Sequence, residues 1–229
     1  DGAWVKGLLV EPDGATNLIS YSEDFTQVDW TKSNTATLAQ DAVGPDGLTS
    51  ATTLVDNSAT GTGTVQVYDT VTVSTSTAYT FSVLAKQDQL TWMSLRTSAF
   101  TTPANGGVWF DLANGVIGTE DTGLTGIIND EGDGWYRCAI SFTTDASDTS
   151  GLVIIEVADA DNDRAVDLDG TSSIIVYGAQ LEAGLVPTSY IPTSGASVTR
   201  GAETTTIPAS VMDSLGLFNT VAVDGTELV

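Results

Sequence analysis

The run AYTFSVLAK, residues 78–86, decides the fold class. Tyr79, Phe81, Val83 and Ala85 fall on one side of an extended chain, and Thr80, Ser82, Leu84 and Lys86 fall on the other. Alternation with period two marks a strand that buries one face. The same period recurs on both sides of this run. In 91–97 it turns Met93 and Leu95 inward and Trp92, Ser94 and Arg96 outward. In 108–112 it turns Val108, Phe110 and Leu112 inward and Trp109 and Asp111 outward. In 135–143 Tyr136, Cys138, Ile140 and Phe142 share the inner phase, against Trp135, Arg137, Ala139 and Ser141. Residues 64–73 alternate with a looser phase, and 152–157 and 173–177 read as two further strands. Glu-Pro-Asp-Gly at 11–14 and Gly-Pro-Asp-Gly at 44–47 are turn signals. Short strands separated by Thr, Ser, Gly, Asp and Asn predict an all-β sandwich or barrel. The one helix candidate, 211–218, is weak, and 220–223 reads as a last short strand.

Composition removes several functions. Thirty acidic against seven basic residues give a net charge of −23. A nucleic-acid binder needs a basic stripe, and the sequence has none. An anionic membrane surface would repel the chain. The same excess favours solubility or bound cations. Histidine is absent, which excludes Ser-His-Asp and Cys-His triads and the usual zinc sites. The single cysteine, Cys138, has no partner for an internal disulfide and reads as a small buried side chain. No apolar run approaches the ~20 residues of a membrane-spanning helix. The sequence starts with neither Met nor a leader pattern, which reads as a chain that begins part-way into a larger protein.

Several segments, in order, resemble a β-sandwich module of tailed-bacteriophage fibre, spike and tail proteins. They are GLLVEPDGATNLISYSEDF (7–25) with Trp30 behind it, GPDGLTSATTL (44–54), YTFSVLAK (79–86), WFDLANGVIG (109–118), GDGWYRCAISF (132–142), VYGAQLEAG (176–184) and TSYIPTSGASVTR (188–200). The module is similar in look to the jelly-roll carbohydrate-binding modules of polysaccharide-degrading enzymes. The resemblance implies an all-β, jelly-roll (galactose-binding-like) sandwich over 17–200. A connector and first strand would fill 1–16, and a connector or the start of a further β segment 201–229. It implies a structural and interaction role in a virion or outside the cell. The partners would be other virion proteins, copies of the chain in a homotrimer, or polysaccharide. The alternative it leaves is a carbohydrate-binding module excised from a polysaccharide-degrading enzyme.

Two features carry chemistry. Trp92, Trp109 and Trp135 lie in the outward phase, as do Lys86, Arg96 and Arg137. Rings that stack on pyranose faces, beside cations that meet hydroxyls or carboxylates, make a glycan platform. Trp92, Arg96, Trp109, Lys86 and Arg137 are its candidate residues. Core or subunit packing explains the same tryptophans, Trp135 above all. The second feature is DADNDRAVDLDG, 159–170. Asp159, Asp161 and Asp163 copy the first half of a calcium loop, but Arg164 stands where the sharp turn needs Gly, and Gly170 where a bidentate Glu belongs. An EF-hand is excluded. A looser Ca²⁺ loop and a solvated acidic hairpin tip both remain. The resemblance to carbohydrate-binding jelly rolls adds a structural Ca²⁺ near the chain ends, with Glu23 and Glu182 as contributors. No cofactor beyond Ca²⁺ is implied. No spacing of carboxylates argues for a glycosidase pair, so the sequence predicts a chain that is not an enzyme.

Overall fold

The structure, a computed structural model, describes residue 11 and residues 13–202. The apolar run 7–10, the helix candidate 211–218 and the strand candidate 220–223 lie outside the described residues. Residues Ala15–Arg200 form one compact unit.

Sixteen strands and no helix make up the described residues. In chain order they are β1 (Ala15–Asn17), β2 (Thr31–Ser33), β3 (Gln40–Val43), β4 (Thr49–Val55), β5 (Thr62–Gly63), β6 (Gln66–Thr72), β7 (Ala78–Gln87) and β8 (Trp92–Ser98). Then follow β9 (Gly106–Asp111), β10 (Val116–Glu120), β11 (Thr125–Gly132), β12 (Trp135–Thr143), β13 (Ser150–Ala158), β14 (Val166–Asp167), β15 (Ser173–Ala183) and β16 (Val198–Arg200). One six-stranded sheet runs β10-β9-β8-β13-β6-β2, the other β11-β12-β7-β15-β4-β3. All their pairings are antiparallel.

The inner phases read from the sequence meet in one core. Phe81, Val83, Cys138, Ile140, Ile174 and Leu181 come from one sheet, and Val67, Met93, Leu95, Phe110, Val153 and Ile155 from the other. This is the arrangement of a β-sandwich, in which the apolar face of each sheet is covered by the other. Cys138 is fully buried, and burial pushes its thiol well above the usual range.

β7 and β8 are consecutive in the chain but lie in different sheets. Their outward residues therefore point to opposite outer surfaces of the sandwich. This single crossover decides which candidate residues can act together.

One inner position of β6 is acidic. Asp69 stands in the core phase of β6, between Val67 and Val71. Burial and the neighbouring Asp29 carboxylate raise its carboxyl from 3.8 to about 6. The folded value exceeds the unfolded one. The stabilising contribution is therefore complete below pH ~4 and is lost as pH rises through 6. Asp69→Asn removes the charge without changing the shape. We expect the variant to be more stable than wild type at pH 8 by about 1–2 kcal/mol, less than the ~3 of a dry site because water screens the group. Urea midpoints at pH 4, 6 and 8 check this. Equal midpoint differences at all three would overturn it.

Candidate functional site

The outer face of the β8–β9–β13 sheet carries a polar grid. The register sets Trp109 beside Ser94, and Ser94 beside Glu156. One row away Gly107, Arg96 and Ile154 line up, and on the other side Asp111, Trp92 and Ala158. Glu156 is fully buried although it lies in the outward phase of β13. Its cover is made by two arginines. The Nε of Arg96 is 3.6 Å, and that of Arg164 3.3 Å, from Glu156 Oε2. Ser94 Oγ donates to the same oxygen at 2.9 Å. Burial raises the Glu156 carboxyl, and the two guanidiniums only partly oppose that.

Arg96 is able to lie flat because residue 107 is glycine. A Cβ there would fall 2.7 Å from Arg96 Nη1 and 2.8 Å from its Cγ. The guanidinium reaches across to Trp109, 5.6 Å from the ring centroid, in cation–π range. Arg164 arrives from the acidic loop, which an Ala160–Asp163 bridge folds back on itself. Together they flank a cavity of about 470 Å³, lined further by Trp109, Asp121, Asn162 and Asp163. A second depression of about 250 Å³, bordered by Gln66, Ser98 and Asn105, shares the same two arginines. The arginine pair thus forms a ridge between two hollows. Asp121 Oδ2 accepts from Gly107 N at 2.9 Å, and Asp163 Oδ1 from Ala165 N at 3.0 Å. A larger cavity of about 550 Å³ beside Asp29 and Asp69 is lined by neither a ring nor a cation. The arginine cleft is the better-equipped site.

The candidate platform divides in two. Trp92, Arg96 and Trp109 lie on the outer face of the β8–β9 sheet. Lys86, Arg137 and Trp135 lie on the outer face of the β7–β12 sheet, on the opposite side of the sandwich. The sequence expectation of one surface is corrected by the β7–β8 crossover. The expectation of an open aromatic surface is corrected too. Trp109 is only 3% exposed, with Arg96 over its ring, and Trp92 is half-buried beside Gly118. Trp135 is buried with Leu84, Tyr177 and Ala51, and Tyr190 packs on that cluster. Lys86 Nζ donates to the Asp133 carbonyl at 2.7 Å. Arg137 donates to the Thr188 carbonyl and, at 3.1 Å, to Ser82 Oγ. Both bases hold loops and turns against their own sheet.

Neither calcium set forms a cage. Asp161 takes the Thr119 amide at 2.6 Å and the Thr119 hydroxyl at 3.1 Å. Asp163 caps its own turn at Ala165, and the Asp159 amide donates to the Asp163 carbonyl at 3.1 Å. Glu23 accepts from the hydroxyls of Tyr177 and Tyr190, at 2.8 and 3.1 Å. Glu182 accepts from Gln180 Nε2 and from Thr188 N and Oγ1, at 2.6, 2.8 and 2.7 Å. Among the described residues no three acidic, His or Cys side chains come together to hold a metal ion. In both sets the carboxylates accept hydrogen bonds from turn and strand donors.

Sequence reading overlooked Glu156 and Asp121 and saw Arg164 only as a fault in a calcium loop. One signal was available. Glu156 is the lone charge in LVIIEVA, 152–158, in the same phase as outward Trp92 and Arg96 once β8 and β13 are paired.

No protein-family model matches the sequence, and no curated protein does. The chain is similar to a solved structure of the enzymatically active domain of tailspike protein 4 from bacteriophage CBA120. The identity is 13% and the TM-score 0.42, over 74% of this chain and 21% of that one. It therefore spans about a fifth of that chain's length. It is also similar to the D2–D3 domains of the flagellar cap protein FliD from Escherichia coli. There the identity is 13% and the TM-score 0.19, over 65% of this chain and 95% of that one. The expectation that the chain is not an enzyme is overturned by the first of these, a domain described as enzymatically active. That likeness names no reaction and no residue.

Proposed function

We propose that the chain is an interaction module of a phage virion, of fibre or spike type, that binds host-surface glycans in the Arg96–Arg164 cleft. On this reading its two sheets are a jelly-roll sandwich of the galactose-binding-like class, and its neighbours are copies of itself in a trimer or other virion proteins. One observation carries the proposal. Two guanidiniums are held through Nε by a buried carboxylate, while the described residues make no hydrogen bond to their Nη groups. Such forks, fixed in place at the wall of a cavity, are prepared donors for a ligand rather than for the protein. The cavity falls within the ~300–1,000 Å³ common for small-molecule sites.

A glycan array tests this with wild type and Arg164→Ala. The Arg164 side chain is 36% exposed, so the variant is expected to fold. We expect wild type to retain at least one class of glycan, and the variant to bind it at least tenfold more weakly. A folded wild type that retains no glycan would sink the proposal.

A further inference from the structure

The charges around the cleft point to the class of sugar. Two guanidiniums, Arg96 and Arg164, face three carboxylates. Glu156 lies beneath them, and Asp121 and Asp163 line the cavity. A ligand carboxylate or sulfate would compete with Glu156 for both cations and stand opposite two further anions. The field of a chain with net charge −23 would repel it before contact. A neutral sugar meets none of these penalties. Its hydroxyls donate to carboxylates and accept from guanidiniums, and each such bond is charge-assisted.

The two hollows set the length. About 470 Å³ on one side of the arginine ridge and about 250 Å³ on the other leave room for a sugar residue in each. Two orphaned polar atoms belong to one row of the sheet under the ridge, Trp109 and Glu156 on either side of Ser94. Trp109 Nε1 and Glu156 Oε1 are buried without a hydrogen-bond partner among the described residues. One is a donor and the other an acceptor, so a hydroxyl or a carried water satisfies both kinds, and an anionic oxygen only the first.

We propose that the cleft takes a neutral, hydroxyl-rich glycan of at least two sugars that crosses the Arg96–Arg164 ridge, and that it rejects chains bearing carboxylates or sulfates. The proposal rests on the glycan-binding reading. Rejection of this kind is specificity by unfavourable contact, not by a better fit to the preferred ligand.

The experiment sets the full chain against neutral polysaccharides (dextran, mannan, galactan) and acidic ones (alginate, polysialic acid, chondroitin sulfate), each at 50 and 500 mM NaCl. The expected result is binding to at least one neutral polymer, with a Kd that changes less than about twofold between the two salt concentrations, and none to the acidic set. Asp163→Asn is expected to weaken the neutral ligand about fivefold, because a hydroxyl acceptor is lost. Its thermal melt confirms that it folds. Binding confined to acidic polymers, weakening with salt, would overturn the neutral assignment and leave glycan binding intact. No binding to either set would overturn both. An unchanged Kd in Asp163→Asn would overturn the role given to the carboxylate wall.

Discussion

Replacing Asn17 by Ala is expected to cost about 4 kcal/mol of stability, read as a large fall in the urea midpoint with an unchanged slope. Asn17 is fully buried, and every polar atom of its side chain is in use. Nδ2 donates to the carbonyls of Ala179 and Ile191 at 3.1 and 2.9 Å. Oδ1 accepts from the amides of Ile19 and Leu181, both at 3.1 Å. One amide thus ties the first described strand to the last long one and to the closing segment. Alanine would strand four buried backbone groups, each at a cost of about 1 kcal/mol or more. Asn17→Asp is the control. It keeps the acceptor but turns a carboxylate oxygen onto two carbonyls in a buried site, so at neutral pH it should be at least as destabilising as Ala and should recover in acid as the carboxyl protonates. A loss below about 1 kcal/mol for Asn17→Ala would mean that the chain ends are held by other contacts.

Glu156→Ala should come next in size, at about 3 kcal/mol. Removing one member of a buried ion pair leaves an uncompensated charge, and such losses run to about 3–5 kcal/mol. Here the lower end applies, because Arg164 is able to swing towards water while Arg96, with a side chain 11% exposed, is not. Glu156→Gln keeps the shape and a hydrogen-bond acceptor for Ser94, and should lose less. The triple change Glu156→Leu, Arg96→Leu, Arg164→Ala should recover most of the loss in Glu156→Ala, since replacing a whole buried ionic cluster by apolar groups is often close to neutral. Thermal melts of the three variants check this order. A triple variant no more stable than Glu156→Ala would show that apolar groups do not pack in the cluster's place.

The sandwich was legible where strands bury one face and expose the other. The inner residues of β7, β8, β9 and β12 all lie in the phase read from the alternation. β10 and β11 were not read as strands, because they are mostly exposed edge strands of polar composition, VIGTE and TGIINDEG. The second half of β15 was hidden for a different reason. At Gly178, with φ of 65°, the register slips, so Val176 and Ala179 both point inward and the period of two fails. Beyond that slip Gln180 and Glu182 are fully buried, which hydrophobic patterning does not predict. They are covered by 185–197, which folds back so that the Ile191 amide meets Gln180 Oε1 at 2.7 Å. The closing stretch that resembles phage modules is therefore a strand and its own lid. The site was half legible. Outward parity was read correctly for Arg96 and Trp109, but parity within a strand does not tell which of two sheets the strand joins. The ionic partner of Arg96, Glu156, lies 60 residues away, so only the pairing of β8 with β13 reveals it.

The pairing of β1 with β16 also has a mechanical consequence. Ala15 lies opposite Arg200, and Asn17 opposite Val198. The chain thus reaches the sandwich and leaves it through neighbouring strands roughly 5 Å apart. A pull on the two flanks would not stretch the sheets. It would peel this three-rung ladder open from the Ala15–Arg200 end, one rung at a time, where resistance is least. The third rung contains Asn17, and there the force would first meet the buried amide that locks three segments together. Under tension the sandwich would hang beside the line of load like a bead on a loop.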